Sequence, residues 1–413
     1  MLDIKFIRQN VEIIKEELSK RGIKIDIVDL LNLDKKKREL IVKIEKLREE
    51  QNKSSKKIAK PDEKTIKEMK KIKEEINKLN LLLTEKEDKF QELMLKLPNI
   101  SHSSVPIGPD ESGNIVSYKW GEKPEFNFKP KDHLEICEKL NLIDIKKAAK
   151  ISGARFVLLK NEAVLLEFAI IRFIMDILVQ KGFNLIIPPV LVKKEAMYGT
   201  GFFPAEANEY YKIEGEDLYL TGTSEVPLAS MHMNEIFKEE DLPLKYAGFS
   251  SCFRKEAGSY GKDTRGMFRV HQFDKIEMFI FSLPEKSWDE YEQLLKVSEE
   301  IFQKLNIHYQ VVNICTGDLA APNAKKIDLE AWFPGQNCYR EVVSCSNDTD
   351  FQTRRLGIKY NDKKGQKTYI HTLNSTACAL GRTIIAILEN YQQEDGRIIV
   401  PKVLQPYLGK DKI

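Results

Sequence analysis

One stretch of the chain combines residue types suited to binding phosphate, an aromatic ring and an ammonium group. It runs from Phe253 to Glu277 and has the pattern of a β-hairpin. In an extended first arm, Arg254 and Glu256 would share a face, because side chains alternate along a strand. The second arm, from Met267 to Phe281, would present on one face Arg269, His271, Phe273, Lys275 and Glu277. Because arginine suits phosphate, an aromatic ring suits a purine and a carboxylate suits an ammonium, the stretch predicts an ATP site beside an amino-acid site.

The loop of this hairpin and the opposite face of its second arm have patterns of their own. Three glycines between the arms, Gly258, Gly261 and Gly266, predict an open loop. The other face of the second arm carries an apolar row formed by Phe268, Val270, Ile276, Met278 and Ile280. This row is interrupted at two positions. An apolar row predicts a sheet backed by a core. The charged face is then either a site or a plain solvated surface, and the pattern leaves both interpretations open.

Three further stretches have residues that could belong to the same site. Thr223 and Glu225 would share a strand face within Tyr219–Pro227, and the stretch from 341 to 355 is more polar than a plain strand requires. Arg382 stands at the start of an apolar helix. Each stretch also has a structural explanation: a strand face, a buried strand with a capped turn, and a core helix with one surface charge.

Together these stretches resemble, in order and spacing, the motifs of the class II aminoacyl-tRNA synthetases. The run from His271 to Lys275 resembles the form of the second motif found in the seryl-tRNA synthetase family. The resemblance covers essentially the whole chain. It implies an enzyme that activates L-serine with ATP and Mg²⁺ and transfers serine to the 3′ end of tRNA(Ser). It leaves open whether tRNA(Sec) is also a substrate and how threonine is excluded.

The resemblance also implies residue roles. The catalytic residues would be Arg254, Glu277 and Arg382. The serine-binding residues would be Thr223, Ser224, Glu225, Glu277 and Thr376. The ATP-binding residues would be Arg254, Lys255, Glu256, Val270, His271, Gln272, Phe273, Glu341, Val342, Val343, Ser344 and Arg382. Glu341 and Ser344 would also meet Mg²⁺ through ATP, because oxygen ligands suit a hard cation. Arg382 would help to hold the adenine against Phe273.

Three positions depart from the usual family pattern. Gly222 stands where the family has proline or alanine, and Val343 stands where bacterial members more often have a serine. Thr376 stands where many bacterial members have serine, so the hydroxyl is kept and a methyl is added. The segment from Phe168 to Pro189 reads as a core helix and strand, and it also resembles the first class II motif. That resemblance implies a homodimer.

The first hundred residues have a different pattern. From residue 34 to residue 97 there is no glycine, and Pro61 is the only proline. Mostly apolar residues recur at alternating spacings of three and four. They are first Leu40, Ile44, Leu47, Gln51, Ser54 and Ile58, and then Met69, Ile72, Ile76, Leu79, Leu83, Lys86, Phe90, Leu93 and Leu97. This heptad pattern predicts two coiled-coil helices. Pro61 would break the chain between them, and Asp62 would cap the second helix.

The charge of this arm indicates a partner. Residues 31–60 contain eleven Lys or Arg and five Asp or Glu, with Lys53, Lys56, Lys57 and Lys60 near the turn. A basic patch on a projecting helix fits a nucleic-acid backbone, although an ordinary charged helix surface or a dimerisation coil would look the same. The family resemblance favours tRNA, bound through phosphate and shape contacts.

The sequence therefore predicts an α+β protein. An antiparallel two-helix coiled-coil arm, about residues 30–97, would belong to an N-terminal tRNA-binding domain of residues 1–105. Residues 106–413 would form a catalytic body with an antiparallel β-sheet flanked by helices, because the strand candidates are joined by hairpins. The turn-forming stretch from Pro98 to about Pro130 would link the two.

Composition restricts the function classes further. The net charge is +3, and no apolar run reaches the roughly 18 residues of a membrane helix. The start has neither secretory nor transit character, which predicts a cytoplasmic protein without a membrane partner. The six cysteines and six histidines are dispersed, which favours reduced thiols and disfavours a zinc site.

Two alternatives to a synthetase are an amino acid:carrier-protein ligase, whose relatives lack the arm, and a non-catalytic RNA-binding paralogue, in which Arg254, Glu277 or Arg382 would be lost.

Overall fold

The computed structural model describes residues 1–57, 63–257 and 265–413. The described chain divides into two compact units, residues 2–97 and residues 98–413, the latter together with Met1. Lys60, Pro61, Asp62, Gly258 and Gly261 lie outside the described residues, and so does Ile58 of the predicted helical seam. The domain boundary expected at residue 105 stays a prediction.

In its described residues the first unit has four helices: α1 (Ile4–Gln9), α2 (Val11–Lys20), α3 (Ile27–Lys57) and α4 (Glu63–Lys96). The long helices α3 and α4 are antiparallel, since Lys43 pairs with Glu75 at 3.1 Å and Lys37, nearer the start of α3, pairs with Glu87 at 3.7 Å. The coiled-coil arm is thereby confirmed.

The seam between α3 and α4 follows the predicted spacing over its middle. Ile44, Ile76 and Leu79 form its buried centre, and the partly buried residues packed on them are Leu40, Leu47, Ile72 and Leu83. Near the end of α4 the most buried side chain is Met94 rather than the predicted Leu93. This arm is thin, and its stability depends on a narrow apolar stripe and on ion pairs along the helix surfaces.

The second unit is built on an eight-stranded sheet. The fifteen strands that this unit has in the described residues are β1 (Ile115–Trp120), β2 (Ile143–Asp144), β3 (Leu158–Leu159), β4 (Asn184–Ile186), β5 (Leu191–Lys193), β6 (Leu218–Leu220), β7 (Ile236–Lys238), β8 (Leu244–Phe253), β9 (Gln272–Ser282), β10 (Tyr309–Asn313), β11 (Lys325–Phe333), β12 (Cys338–Thr349), β13 (Lys359–Asn361), β14 (Lys367–Tyr369) and β15 (His371–Ala379). The large sheet has the order β1-β10-β11-β12-β15-β9-β8-β4. Its pairs are antiparallel except β4 with β8. The predicted antiparallel α+β body is confirmed.

Nine helices of this unit lie in the described residues. They are α5 (His133–Leu140), α6 (Ile145–Ser152), α7 (Glu162–Gln180), α8 (Lys194–Thr200), α9 (Glu225–Ser230), α10 (Ser287–Lys304), α11 (Phe351–Leu356), α12 (Leu380–Asn390) and α13 (Gln405–Leu408). Helices α7, α10 and α12 contribute buried apolar residues to the main core beneath the sheet. Among the described helices, none has both the length and the hydropathy needed to span a bilayer.

The stretch after Pro98 is more ordered than a linker. Residues 115–120, which fall inside the predicted linker, form β1 and pair with β10 at one edge of the large sheet. The strand was not recognised in the sequence because turn-forming residues are frequent before and after it, and because a six-residue edge strand contains only a short apolar pattern. The prediction of a linker over 98–130 was therefore wrong at β1.

Candidate active site

A cavity of about 290 Å³ opens on the large sheet and gathers most of the predicted site residues. Its floor comes from β9, β12 and β15, and its walls come from the residues after β8, the start of α12 and the residues after α8. Predicted residues that line it are Thr223, Glu225, Arg254, Glu256, Val270, Phe273, Glu277, Glu341, Val342, Ser344, Thr376 and Arg382.

Five predicted residues do not line this cavity. Val343 is fully buried in the main core, opposite Leu329 of the neighbouring strand. Ser224 is buried below the site, where its hydroxyl donates to the Gly248 carbonyl at 3.0 Å. Lys255 and Gln272 are exposed, and the His271 ring nitrogen Nδ1 lies 3.0 Å from the Arg254 carbonyl. Their predicted contacts with ligands stay predictions.

One end of the cavity is built around a buried carboxylate. Glu277, 2% exposed, pairs with Lys275 through a 2.6 Å contact between Lys275 Nζ and Glu277 Oε2. Thr376 lies directly opposite Glu277 on the neighbouring strand and its hydroxyl donates to the same oxygen at 3.3 Å. The alternation of β9 puts both Lys275 and Glu277 on the face toward the cavity.

A second carboxylate, Glu225, is held at the same end. Its Oε1 accepts a hydrogen bond from Gln352 Nε2 at 2.8 Å, and its backbone N–H donates to the Thr223 hydroxyl at 3.2 Å. Burial raises the pKa of Glu225 well above its ordinary value, and the nearby charges of Asp348 and Glu277 raise it further. Lys275 and Gln352 only partly oppose this rise. Buried carboxylates crowded in this way favour an incoming cation such as an ammonium group.

The other end of the cavity is rich in arginine. Arg382 Nη1 donates to the Glu341 carbonyl at 2.8 Å and lies 3.4 Å from the Glu341 carboxylate. Burial lowers the pKa of Arg382 and the Glu341 carboxylate opposes this, while three nearby guanidiniums, those of Arg254, Arg269 and Arg340, lower it further. Mutual repulsion among arginines shows a local excess of positive charge, which suits a polyanion.

Aromatic rings accompany these arginines. The Arg254 guanidinium lies 5.3 Å from the centre of the Phe273 ring, and Arg382 and Arg340 lie 4.7 Å and 3.8 Å from the Phe268 ring. Phe268 was expected on the apolar face only, yet it also lines the cavity. Rings beside guanidinium planes offer a surface on which a purine can stack.

Buried acidic and basic groups support the floor below the arginines. Lys326 Nζ pairs with Asp328 Oδ2 at 3.1 Å, and Asp328 lies directly opposite Ser344 on the neighbouring strand. Burial raises the pKa of Asp328 to about 7. The positive charge of Lys326 opposes this rise, and the negative charge of Glu341 adds to it. Desolvation within the cavity opposes ionisation of Glu341, whose side chain is 45% exposed, but Arg382 and Lys326 hold its pKa below the ordinary value.

Three local predictions about the site were wrong. The predicted second arm is a strand only from Gln272 onward, so Arg269 and His271 precede β9. Thr223 and Glu225 do not share a strand face, since β6 ends at Leu220 and Glu225 begins α9. Arg254 and Glu256 follow the end of β8 instead of extending it, and Glu256 has a φ of 51°. Both pairs still reach the cavity, because the chain turns there and aims the side chains inward.

Several residues of the site were not singled out from the sequence. Lys326 and Asn374 line the cavity, and Gln352 holds Glu225 from outside it. Lys326 and Asp328 are two residues apart on β11, so the alternation of side chains along a strand could have identified them as neighbours on one face. Gln352 carries no local signal, since its role depends on contacts between residues that are distant in sequence.

Comparison with known proteins decides the family. The seryl-tRNA synthetase N-terminal domain matches residues 1–101, and the tRNA synthetase class II core domain (G, H, P, S and T) matches residues 210–391. A serine–tRNA ligase of Nitrosopumilus maritimus is 45% identical over 419 residues, which cover 100% of both chains. The chain belongs to the seryl-tRNA synthetase family. A serine–tRNA ligase of Thermodesulfovibrio yellowstonii is 47% identical, again over 100% of both chains.

Solved structures agree with this assignment. A crystal structure of seryl-tRNA synthetase from Pyrococcus horikoshii complexed with ATP matches with a TM-score of 0.92 and 45% identity, covering 100% of this chain and 99% of that one. A cytoplasmic serine–tRNA ligase of Naegleria fowleri in complex with AMP matches with a TM-score of 0.88 and 38% identity, covering 100% and 98%. The match extends through the arm, which the carrier-protein ligase alternative would lack. By family the chain is a serine–tRNA ligase.

Proposed function

We propose that the cavity binds ATP among its arginines and L-serine among its buried carboxylates, and forms seryl-adenylate between them. The observation that carries this proposal is the contrast within one cavity: crowded carboxylates at Glu225 and Glu277, and crowded guanidiniums around Arg382. The related structures solved with ATP and with AMP support nucleotide binding by this chain.

In the first step the serine carboxylate attacks the α-phosphorus of ATP. A bond forms between a carboxylate oxygen and phosphorus, the bond to the β-phosphate oxygen breaks, and pyrophosphate leaves. No protein nucleophile is required, so the chain contributes positioning and charge stabilisation. Arg254 would stabilise the α-phosphate, Arg382 would meet the outer phosphates, and Glu256 would contact the adenine. Phe273 would stack on the adenine, with Arg382 on the opposite face.

Magnesium would accompany ATP rather than occupy a protein cage. The described residues contain no group of three or more His, Cys, Asp or Glu side chains arranged to hold a metal ion. Glu341 and Ser344 nevertheless lie on one strand beside Asp328, and this oxygen donor set fits a hard cation that keeps phosphate and water ligands. When bound, Mg²⁺ would neutralise phosphate charge. The residues that would hold it are Glu341 and Ser344.

Serine would be recognised by groups that are already hydrogen-bonded to one another. Glu277 and Glu225 would receive the ammonium group, and Thr223 and Thr376 would contact the small polar substrate. A site that hydrogen-bonds a hydroxyl rejects alanine strongly, because polar groups would be left unpaired. Threonine adds only one methyl, worth about 1–3 kcal/mol by fit alone, so the methyl of Thr376 would contribute to exclusion by narrowing the pocket.

In the second step serine passes to the 3′ end of tRNA(Ser). The arm formed by α3 and α4 would hold the tRNA. One face of α3 carries an exposed basic row of Lys35, Arg38, Lys43 and Lys46. Such a row fits a phosphate backbone.

The catalytic unit would act as a homodimer. Exposed apolar side chains lie on α7 at Leu165 and Phe168, and on or after the edge strand β4 at Leu185 and Ile187. A sheet edge with apolar side chains around it is a typical site of association.

The experiment that tests the function is amino-acid-dependent ATP–pyrophosphate exchange with serine, threonine, alanine and glycine, followed by charging of total tRNA. Exchange with serine and formation of seryl-tRNA are expected. Exchange without charging would favour the carrier-protein ligase, and a folded protein without any exchange would favour the RNA-binding paralogue.

A further inference from the structure

The amide of Gln352 lies behind the serine end of the cavity, and both of its N–H groups and its oxygen are hydrogen-bonded. Gln352 stands in the first turn of α11 and is fully buried. Its Nε2 donates to Glu225 Oε1 at 2.8 Å and to the Thr200 carbonyl at 3.2 Å. Its Oε1 accepts from the Thr372 hydroxyl at 2.9 Å. Three elements, α8, α9 and β15, are thereby joined through one side chain.

Chemistry fixes the direction of each of these bonds. A carboxylate and a carbonyl can only accept, so the amide nitrogen must face Glu225 and Thr200. The amide oxygen therefore faces Thr372, whose hydroxyl must donate. Because Thr200 and Thr372 are also fully buried, no water competes for the amide. The orientation of the Glu225 carboxylate is set by this fixed donor.

We propose that Gln352 is a positioning residue that holds Glu225 Oε1 and so presents the other carboxylate oxygen to the ammonium group of serine. The inference rests on the proposed function, because it needs serine in this cavity. Gln352 does not line the cavity and acts through Glu225. It also ties Glu225 to Thr200, which precedes the wall residues Gly201 and Phe202.

The charges around Glu225 explain why such a donor is needed. Glu225 faces Asp348 from β12, Glu277 and Lys275 from β9, and Gln352 from α11. Two of these neighbours are acidic and one is basic, so the buried carboxylate tends to take up a proton. The hydrogen bond from Gln352 favours the ionised form, which is the form that attracts an ammonium group.

The test compares the full-length wild-type protein with Gln352→Met, a variant of similar length without hydrogen-bonding groups. Because a hydrogen bond to a charged group is removed, the KM for serine in pyrophosphate exchange is expected to rise about tenfold or more, while the KM for ATP stays within about twofold. Removal of the donor also raises the pKa of Glu225. The fall of kcat/KM for serine at low pH is therefore expected to begin at a higher pH than in the wild type.

The chain offers a matched control in Gln310→Met. Gln310 Nε2 donates to Glu330 Oε2 at 2.7 Å between β10 and β11, and neither residue lines the cavity. This variant also loses a Gln–Glu hydrogen bond, here a partly buried one, and its serine KM and pH profile should match the wild type. Thr372→Val, which removes only the hydroxyl that donates to Gln352, should change both readouts in the direction of Gln352→Met by a smaller amount.

An unchanged serine KM and pH profile in Gln352→Met would overturn the proposal, as would equal rises in both KM values with an unshifted profile. If Gln352→Met does not fold, Thr372→Val decides by the same two readouts. Failure of the proposed function looks different, because the wild type itself would then show no serine-dependent exchange.

Discussion

Glu277 is both a proposed ligand for the serine ammonium group and the partner of a buried lysine. Truncation to alanine would leave Lys275, 7% exposed, without its 2.6 Å partner, which typically costs about 3–5 kcal/mol. Glu277→Gln keeps the volume and one acceptor oxygen. We expect it to lower serine-dependent exchange by about a hundredfold or more, because the charge that attracts the ammonium is removed.

The control for this prediction is the double variant Lys275→Met/Glu277→Gln. It removes both charges of the buried pair, so its thermal midpoint should lie at or above that of Glu277→Gln. Its exchange activity should stay low. Recovery of activity together with stability would show that Glu277 acts on the fold and not on serine.

The raised pKa of Glu225 predicts how the wild-type enzyme responds to pH. Burial, Asp348 and Glu277 raise this pKa, so Glu225 takes up a proton at a higher pH than an ordinary glutamate does. The serine ammonium stays protonated, and its attraction to the site is lost. We expect kcat/KM for serine to decline as the pH is lowered, and to begin its decline at a higher pH than the protonation of an ordinary glutamate would give, with a much smaller change in the KM for ATP. A serine profile that stays flat down to the pH at which ordinary glutamates are protonated would contradict the assignment of Glu225.

At the scale of single elements, long periodic patterns predicted helices and strands correctly, whereas the interpretation of a short segment was wrong. The heptad spacing identified α3 and α4, and the alternation of β9 placed Lys275 and Glu277 correctly. The start of α9 was missed because Thr223 and Glu225 were read as alternating strand residues. Ser224 followed by Glu225 and by Pro227 in the first turn is a helix-start signal that could have corrected this.

The basic face of α3 leads to a prediction about tRNA. Lys35 and Lys46 lie on the same helical face, roughly three turns apart. The double variant Lys35→Ala/Lys46→Ala should raise the KM for tRNA in the charging reaction and leave pyrophosphate exchange unchanged. A plot of log KM against log salt concentration should become shallower by about 0.7–0.9 for each phosphate that the variant no longer neutralises.

Lys146→Ala/Lys150→Ala is the matched control for this charge change. Both lysines are exposed on α6, in the catalytic unit. The same removal of two positive charges there should leave the KM for tRNA and its salt dependence unchanged. Equal effects of the two double variants would indicate that net charge, and not the α3 face, determines tRNA affinity.

At the scale of the whole molecule, the order of strands lay beyond sequence reasoning. The hairpin pairing of β8 with β9 follows from their proximity in the chain, but β15 lies between β9 and β12 although many residues separate them. Thr376 meets Glu277 through this long-range pairing. The family resemblance supplied both residues as candidates, and the physical reason for their meeting appears only once the sheet is assembled.

The order of strands also leads to a prediction about assembly. Strand β4 is at one edge of the large sheet and β1 is at the other. Near β4, Ile187 is 78% exposed, and Phe168 of α7 is 65% exposed. Strand β4 pairs with β8, which leads to Arg254, so association at this edge would support the phosphate end of the cavity.

Phe168→Glu places a charge in the apolar surface around β4, and burying that charge in an interface would be costly. We expect a homodimer in the wild type and a monomer in this variant by light scattering, with serine-dependent exchange lowered about tenfold or more as the support for β8 is removed.

Ile107→Glu is the matched control, since Ile107 is 71% exposed and the segment around it pairs with residues following β10, toward the opposite edge. It should remain a dimer with wild-type exchange. A Phe168→Glu variant that stays dimeric would place the interface elsewhere, and a monomer with full activity would show that each catalytic unit is complete without a partner.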